Sequence, residues 1–328
     1  MMKKNIRPSK LARREFLQAG IGTIGVIASS NYVLGQETKS SDKPKFPGWI
    51  DAHSHVWTPD TDKFPLGAWN KKSELKPASF TATELLGIAN PLGVDRVVLI
   101  QHAPYHGYDN SYVLDCAKRY PGVFSVVAMI DERLPKVAAR LKKLKQQGTR
   151  GIRIGPTKHA DRTLVKDPPK WLEAKGQQAL WKAASKLNVA ICPLITPEFL
   201  PSLDVMCKQF PDVTCVIDHF GRVDVGQKEE LKQLTKLARH PNVYVKVSAF
   251  YSKGKKAPPH LEVIPMINQV IDAFGPDRLM WGSDCPYQLN NGNTYKDSVA
   301  LFESRMKGLS KNDREQILRD TAKRVFFD

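Results

Sequence analysis

His53 and His55 sit two residues apart at the close of an apolar run, Gly48–Trp57. Residues i and i+2 of a strand point to one face, so their imidazoles leave the strand as a ready-made pair of metal ligands. The last strand-like segment, Arg278–Asp284, ends in a carboxylate. A lone histidine at a strand end is usually a cap. A pair, matched by an aspartate at the far end of a chain that alternates strands and helices, reads as a barrel active site.

Other polar residues fall at the same kind of position. Gln101 and His102 close a second strand, and Asp218-His219-Phe-Gly-Arg222 follows a sixth. Arg153 lies between Ile152 and Ile154; if those two face helices, the guanidinium points into a barrel. In the seventh strand Val243, Val245 and Val247 share one parity, and Tyr244, Lys246 and Ser248 the other. Cations and histidines converging on one carboxylate suit an anionic ligand. Arg153 and Lys246 are the candidates to hold its carboxylate, which the planar fork of Arg matches bidentately. Gln101, His102, Arg222 and Tyr251 complete the expected pocket.

These residues need a scaffold that brings many strand ends together. Strands are expected at Trp49–His55, Arg96–Gln101, Phe124–Ile130, Gly151–Ile154, Val189–Leu194, Val213–Ile217, Val243–Ser248 and Leu279–Trp281. Helical spacing fills the intervals, at Thr81–Leu92, Ser111–Tyr120, Pro135–Gln147, Gly176–Leu187, Leu200–Phe210, Lys228–Arg239 and Leu261–Phe274. Eight such units predict a single (β/α)₈ barrel of the TIM type, over residues 48–328. An open doubly wound sheet fits less well, because no Gly-rich phosphate loop follows any strand. The connections Trp57–Pro77 and Pro156–Lys175 exceed usual lengths and are candidate lids.

Composition excludes other classes. The 328 residues are 41% hydrophobic and 25% charged, which is ordinary for a globular protein, with a formal charge of +17. No basic run interleaves with aromatics, so no nucleic-acid partner is expected. The positive field favours a small anionic substrate. Residues 1–35 read as an export signal rather than part of the fold: Ser9-Lys-Leu-Ala-Arg-Arg-Glu-Phe-Leu-Gln18 is similar to the twin-arginine motif, followed by a weakly apolar stretch and Val33-Leu-Gly35. That predicts a periplasmic protein with no membrane span in its mature chain, joined to the leader by a Lys/Ser/Pro-rich linker at residues 36–47. The five cysteines lack a Cys-x-x-Cys pairing and are expected as buried free thiols.

The motifs Ile50-Asp-Ala-His-Ser-His-Val-Trp57, Gly151-Ile-Arg153, Val216-Ile-Asp-His-Phe-Gly221 and Leu279-Met-Trp-Gly-Ser-Asp-Cys-Pro286 resemble the amidohydrolase superfamily. The likeness is nearest to the amidohydrolase-related branch that contains sugar-lactone and 2-pyrone-4,6-dicarboxylate lactonases. It implies a distorted (β/α)₈ barrel and hydrolysis, with His53 and His55 as first-strand metal ligands, His219 as the sixth-strand histidine and Asp284 as the acid/base that activates water. The chain departs from the superfamily in two places. Its fifth strand, Ala190-Ile-Cys-Pro-Leu194, offers no histidine, and Arg153 replaces the bridging Lys or Glu. A two-metal centre is therefore not expected. One Zn²⁺ on His53, His55 and Asp284, or a site that works without metal, both stay open.

The expected reaction is hydrolysis of a lactone or similar ester in a small anionic or sugar-derived molecule. Asp284 takes a proton from water, and His53, His55 and His219, or a metal held there, stabilise charge on the carbonyl oxygen. Two alternatives remain. One is decarboxylation of an aromatic acid, against which the missing fifth-strand histidine counts. The other is an exported binding protein on a degenerate barrel, which would bind a sugar acid without turning it over. Oligomeric state is not determined by the sequence.

Overall fold

The structure, a computed structural model, describes residues 48–156, 163–165 and 167–328. The expected export signal and linker lie outside the described residues, as does part of the candidate lid Pro156–Lys175. Eight strands form one parallel sheet in sequence order: β1 Trp49–Ser54, β2 Val94–Ile100, β3 Phe124–Ala128, β4 Thr149–Ile154, β5 Ala190–Pro193, β6 Cys215–Ile217, β7 Val243–Ser248 and β8 Leu279–Gly282. Past their ends, β1 and β8 meet: His55 N–H donates to Cys285 O at 2.7 Å and Asp284 N–H to His53 O at 2.7 Å. These bonds close the sheet into the expected TIM-type barrel.

Eleven α-helices follow among the described residues: α1 Ala82–Ala89, α2 Ala103–His106, α3 Ser111–Arg119, α4 Val137–Gln146, α5 Lys175–Leu187, α6 Leu200–Gln209, α7 Lys228–Lys236, α8 Ile264–Phe274, α9 Tyr295–Ala300, α10 Lys311–Glu315 and α11 Thr321–Phe326. Local chemistry starts and stops them. Thr81 and Glu84 cap α1 reciprocally, satisfying donors the first turn leaves free. Asn188, at φ 47°, ends α5 in the left-handed conformation, which Asn tolerates.

Strand parity sorts the core into two shells. Val97, Leu99, Ile152, Ile191, Val245 and Trp281 face the helices in one continuous apolar cluster. Ile50, Ala52, Val98, Ile100, Val127 and Val216 fill the barrel interior, closed from below by Ala322 and Phe326 of α11. Burying each such side chain contributes ~1.5–3 kcal/mol before entropy is set against it. All five cysteines are buried and free, as expected. Among the described residues, no helix is long and apolar enough to cross a membrane.

The connection Trp57–Pro77 corrects one expectation. It does not line the cavity above the barrel. Trp69 Nε1 and Asn70 Nδ2 donate to Pro104 O, and Gly67 N–H to Tyr105 O. The segment buttresses α2, and α2 forms the wall.

Candidate active site

β1 does not run straight to its histidines. Asp51 pairs with Val97 and Ser54 with Leu99, so three steps on β1 match two on β2. Such a bulge re-aims the side chains beyond it. Ile50 and Ala52 point inward; after the extra residue, His53 and His55 also do. On β4 and β7 simple alternation suffices, and Arg153 and Lys246 enter the interior. β6 ends in a tight left-handed turn, with His219, Phe220, Gly221 and Arg222 at φ 53–61°. Asp284 and Ala249 share that conformation at φ 60°. Non-glycine residues held there cost ~1–3 kcal/mol each and cluster at functional sites.

These turns converge on Asp284. His53 Nε2 and His55 Nε2 lie 3.5 and 3.4 Å from its Oδ1, and His219 Nε2 lies 3.6 Å from Oδ2. The Tyr251 hydroxyl donates to Oδ2 at 2.7 Å. Burial alone would favour the neutral acid, but His219, the contact with His55 and His53 outweigh it and hold Asp284 well below the usual carboxylate range. The imidazoles are displaced too. Burial pushes His219 down to about 4 against the pull of Asp284 and Asp218, and pushes His53 well down, with Lys246 adding to the effect. At neutral pH the centre is an ionised carboxylate beside the neutral rings of His53 and His219.

Beneath it lies a second buried charge cluster. Asp218 is fully buried, with Lys246 Nζ at 3.0 Å, His53 Nδ1 at 3.2 Å and Arg153 Nε at 3.5 Å. Lys246 Nζ also sits 3.2 Å from His53 Nδ1 and 5.5 Å from the Phe326 ring centre. Two expectations are corrected here. Lys246 is 0% exposed and does not line the cavity; it neutralises Asp218 in the barrel interior instead of gripping a substrate. Gln101 is also buried away from the cavity, where its amide donates to Gly107 O and Asp109 O and ties down the loop behind α2.

Apart from His53, which is fully buried just beneath, the other expected residues meet at one cavity of about 600 Å³, lined by His55, His102, Arg153, His219, Arg222, Tyr251 and Asp284. Arg153 reaches it at 9% exposure while its Nη1 lies 3.4 Å from His55 Nε2. Two further lining residues have no counterpart among the sequence expectations. Tyr287 shares a 2.8 Å hydrogen bond with His102 Nε2. Lys253, 3% exposed, is pushed down to about 8 by burial, with Arg222 opposing its charge and Asp224 supporting it. Both come from loops, where neither periodicity nor a motif announces them.

His53, His55 and Asp284 are also the one group among the described residues with metal-binding geometry, their donor atoms within 4.8 Å of one another. The arrangement fits a divalent ion. His55 Nδ1 is engaged with Ile100 O at 2.9 Å, which turns Nε2 toward Asp284 Oδ1 at 3.4 Å. His53 Nε2 is buried without a hydrogen-bond partner, and Asp218 at Nδ1 is the kind of outer partner that orients a ligating imidazole. Two N and one O donors suit zinc with a position open.

The family model described as "Amidohydrolase" matches residues 50–327, and the chain belongs to that family. It is 31% identical over 242 residues to L-fucono-1,5-lactonase of Burkholderia ambifaria, covering 72% of this chain and 80% of the relative. It is 27% identical over 297 residues to 4-sulfomuconolactone hydrolase of Hydrogenophaga intermedia, covering 85% and 89%. An amidohydrolase from Burkholderia multivorans, solved with bound zinc, superposes with a TM-score of 0.69 at 21% identity, over 84% of this chain and 98% of that one. This last likeness concerns the fold.

Proposed function

We propose that the protein is a lactonase that opens a small anionic lactone by adding water to its ester carbonyl. The observation that carries this reading is an ionised, buried Asp284 ringed by His53, His55 and His219 on the floor of a cavity whose wall carries Arg153, Arg222 and Lys253. The substrate carboxylate or sulfonate docks on Arg153, with Arg222 and Lys253 on the same cavity wall. Asp284 takes a proton from the attacking water. A carboxylate held so strongly ionised is a weak base by itself; an anion beside Arg153 cancels part of the local positive field and raises its basicity. Arg153 donates toward the carbonyl oxygen as charge builds there, while the Tyr251 hydroxyl, kept protonated by burial and by Asp284, stays on Asp284 Oδ2 and steadies the carboxylate. The proton on Asp284 then passes to the ring oxygen as the C–O bond breaks, giving a hydroxy acid. A divalent ion on His53, His55 and Asp284, when bound, supplies Lewis-acid polarisation of the carbonyl and lowers the pKa of water.

Both curated relatives named above carry lactone-hydrolysing names, which supports the reaction class. The cationic wall favours the sulfonated, anionic kind of substrate over a neutral sugar lactone. Residues 1–35, with Arg13 and Arg14, are proposed to send the folded protein to the periplasm; replacing both by Lys should leave the precursor in the cytoplasm.

The test is a panel of L-fucono-1,5-lactone, 4-sulfomuconolactone and 2-pyrone-4,6-dicarboxylate, followed by acid release, with elemental analysis alongside. Turnover of an anionic member and at most one zinc per chain, lost in His53→Ala, are expected. No turnover of any lactone, with CO₂ released from an aromatic acid or with tight binding alone, would sink the reading.

A further inference from the structure

The donors grouped around Asp284 stand on opposite sides of the seam where the barrel closes. His53 and His55 belong to β1, and Asp284 follows β8. Backbone pairing across this seam is sparse, with one bridge, Ser54 to Cys285, against four registered pairs between β7 and β8. Buried side chains add to it: the Ser54 hydroxyl donates to Cys285 O at 3.3 Å, and Asp51 makes the larger set of bonds. Asp51 Oδ1 accepts from His53 N–H at 3.0 Å and Ser283 N–H at 2.8 Å; its Oδ2 accepts from the Ser283 hydroxyl at 2.5 Å and the Tyr295 hydroxyl at 3.0 Å. Each contact touches a neighbour of the reacting group: His53 itself, Ser283 next to Asp284, and α9 behind β8. The β1 bulge places Asp51 on the opposite face from His53, out of the cavity. β8 approaches so closely here that a Cβ on Gly282 would lie 2.8 Å from His53 Cβ and 2.9 Å from its backbone N, which leaves glycine as the residue that fits.

We infer that Asp51, with Ser283 and Tyr295, is a positioning clasp that sets the spacing between the histidines of β1 and the carboxylate after β8. It touches no substrate; it acts through the 3.4–3.5 Å separations of His53 and His55 from Asp284. The inference rests on Asp284 and the histidines being the reacting group, as proposed above. Misplacement of reacting groups by about 1 Å lowers turnover by ~100-fold, while substrate binding on the cationic wall is untouched.

The experiment compares Asp51→Asn, Tyr295→Phe and Ser283→Ala with Ser298→Ala. Ser298 accepts from Trp281 Nε1 at 3.0 Å, so its loss removes a buried hydrogen bond between β8 and α9 outside the clasp. Turnover on the best lactone of the panel is measured with melting temperature and with amide exchange of the peptides spanning 49–57 and 279–288. For Asp51→Asn, kcat should fall about tenfold or more with KM within about twofold, and exchange at the seam should quicken about tenfold. Tyr295→Phe and Ser283→Ala should follow in the same direction with smaller amplitude and keep the test readable if Asp51→Asn does not fold. Ser298→Ala should lower the melting temperature alone. If the clasp variants match Ser298→Ala, losing stability with kcat and seam exchange unchanged, the inference is overturned. If wild type turns over no lactone, or Asp284→Asn does so as well as wild type, the functional reading fails by itself, and seam exchange still judges the clasp.

Discussion

The two halves of the barrel interior, built by the same strands, are opposites. The lower half is apolar and close-packed, with Ile50, Ala52, Val98, Val127 and Val216 sealed by Phe326. The upper half is almost entirely ionisable, with Asp218, Lys246, Arg153, His53, His55, His219 and Asp284 buried together. Apolar burial stabilises without direction. Buried charge is stabilised only while each group keeps its partner, and removing one partner costs more than the pair contributed. The lower half therefore provides stability that leaves room for substitution, and the upper half trades stability for chemistry.

Breaking the upper half should produce the largest effects. Lys246→Met leaves Asp218 in the interior without its nearest cation and should destabilise by ~3–5 kcal/mol in chemical denaturation; adding Asp218→Asn to it should restore part of that loss. Asp284→Asn sharpens the contrast from the other side. Asn tolerates the left-handed backbone at φ 60° but cannot take a proton from water. The variant should still fold while turnover falls by about 100-fold or more.

Acid should act on the upper half first. His219 is lowered to about 4, and His53 and His102 are also lowered, with burial the leading cause in each. The unfolded chain thus binds more protons than the native one between about pH 6.5 and 4. The histidine contribution is complete above the unfolded value and is lost as pH falls through the native ones, on the order of 3 kcal/mol for His219 alone. Asp51, raised to about 6 by burial despite four hydrogen bonds, has the opposite sign. Its smaller contribution is present at low pH and declines as pH rises through 6. Melting temperatures between pH 7.5 and 4.5 should fall with acid, and a flat profile would contradict the neutral buried imidazoles.

On the cationic wall of the cavity the expected effects shrink to binding. Lys253→Met should raise KM for an anionic lactone about tenfold with kcat nearly unchanged, the scale of one charge-assisted hydrogen bond. In wild type, KM should climb above pH 8 as this amine, lowered to about 8, loses its proton. In the lower half, Ile50→Val should cost only ~1 kcal/mol, with turnover unaltered.

The sequence by itself determined the eight-strand alternation, and β7 matches its expected bounds, Val243–Ser248, residue for residue. It also determined which way Arg153 faces and that the His53-x-His55 pair, His219 and Asp284 stand at strand ends. Those properties follow from a period of two and from turn chemistry, which are local. What only the tertiary structure decided is depth and closure. Lys246 and Arg153 share an inward parity, yet one lies beneath the site and the other opens into the cavity, because the stagger of neighbouring strands sets how high each residue sits. Asp218 stood in a recognised motif, but its place as the common partner of Lys246, His53 and Arg153 depends on three other strands. The β1 bulge overrides alternation and sends Asp51 outward while His53 turns in. Lys253 and Tyr287 reach the cavity from loops, and a loop carries no periodicity from which its direction could be read.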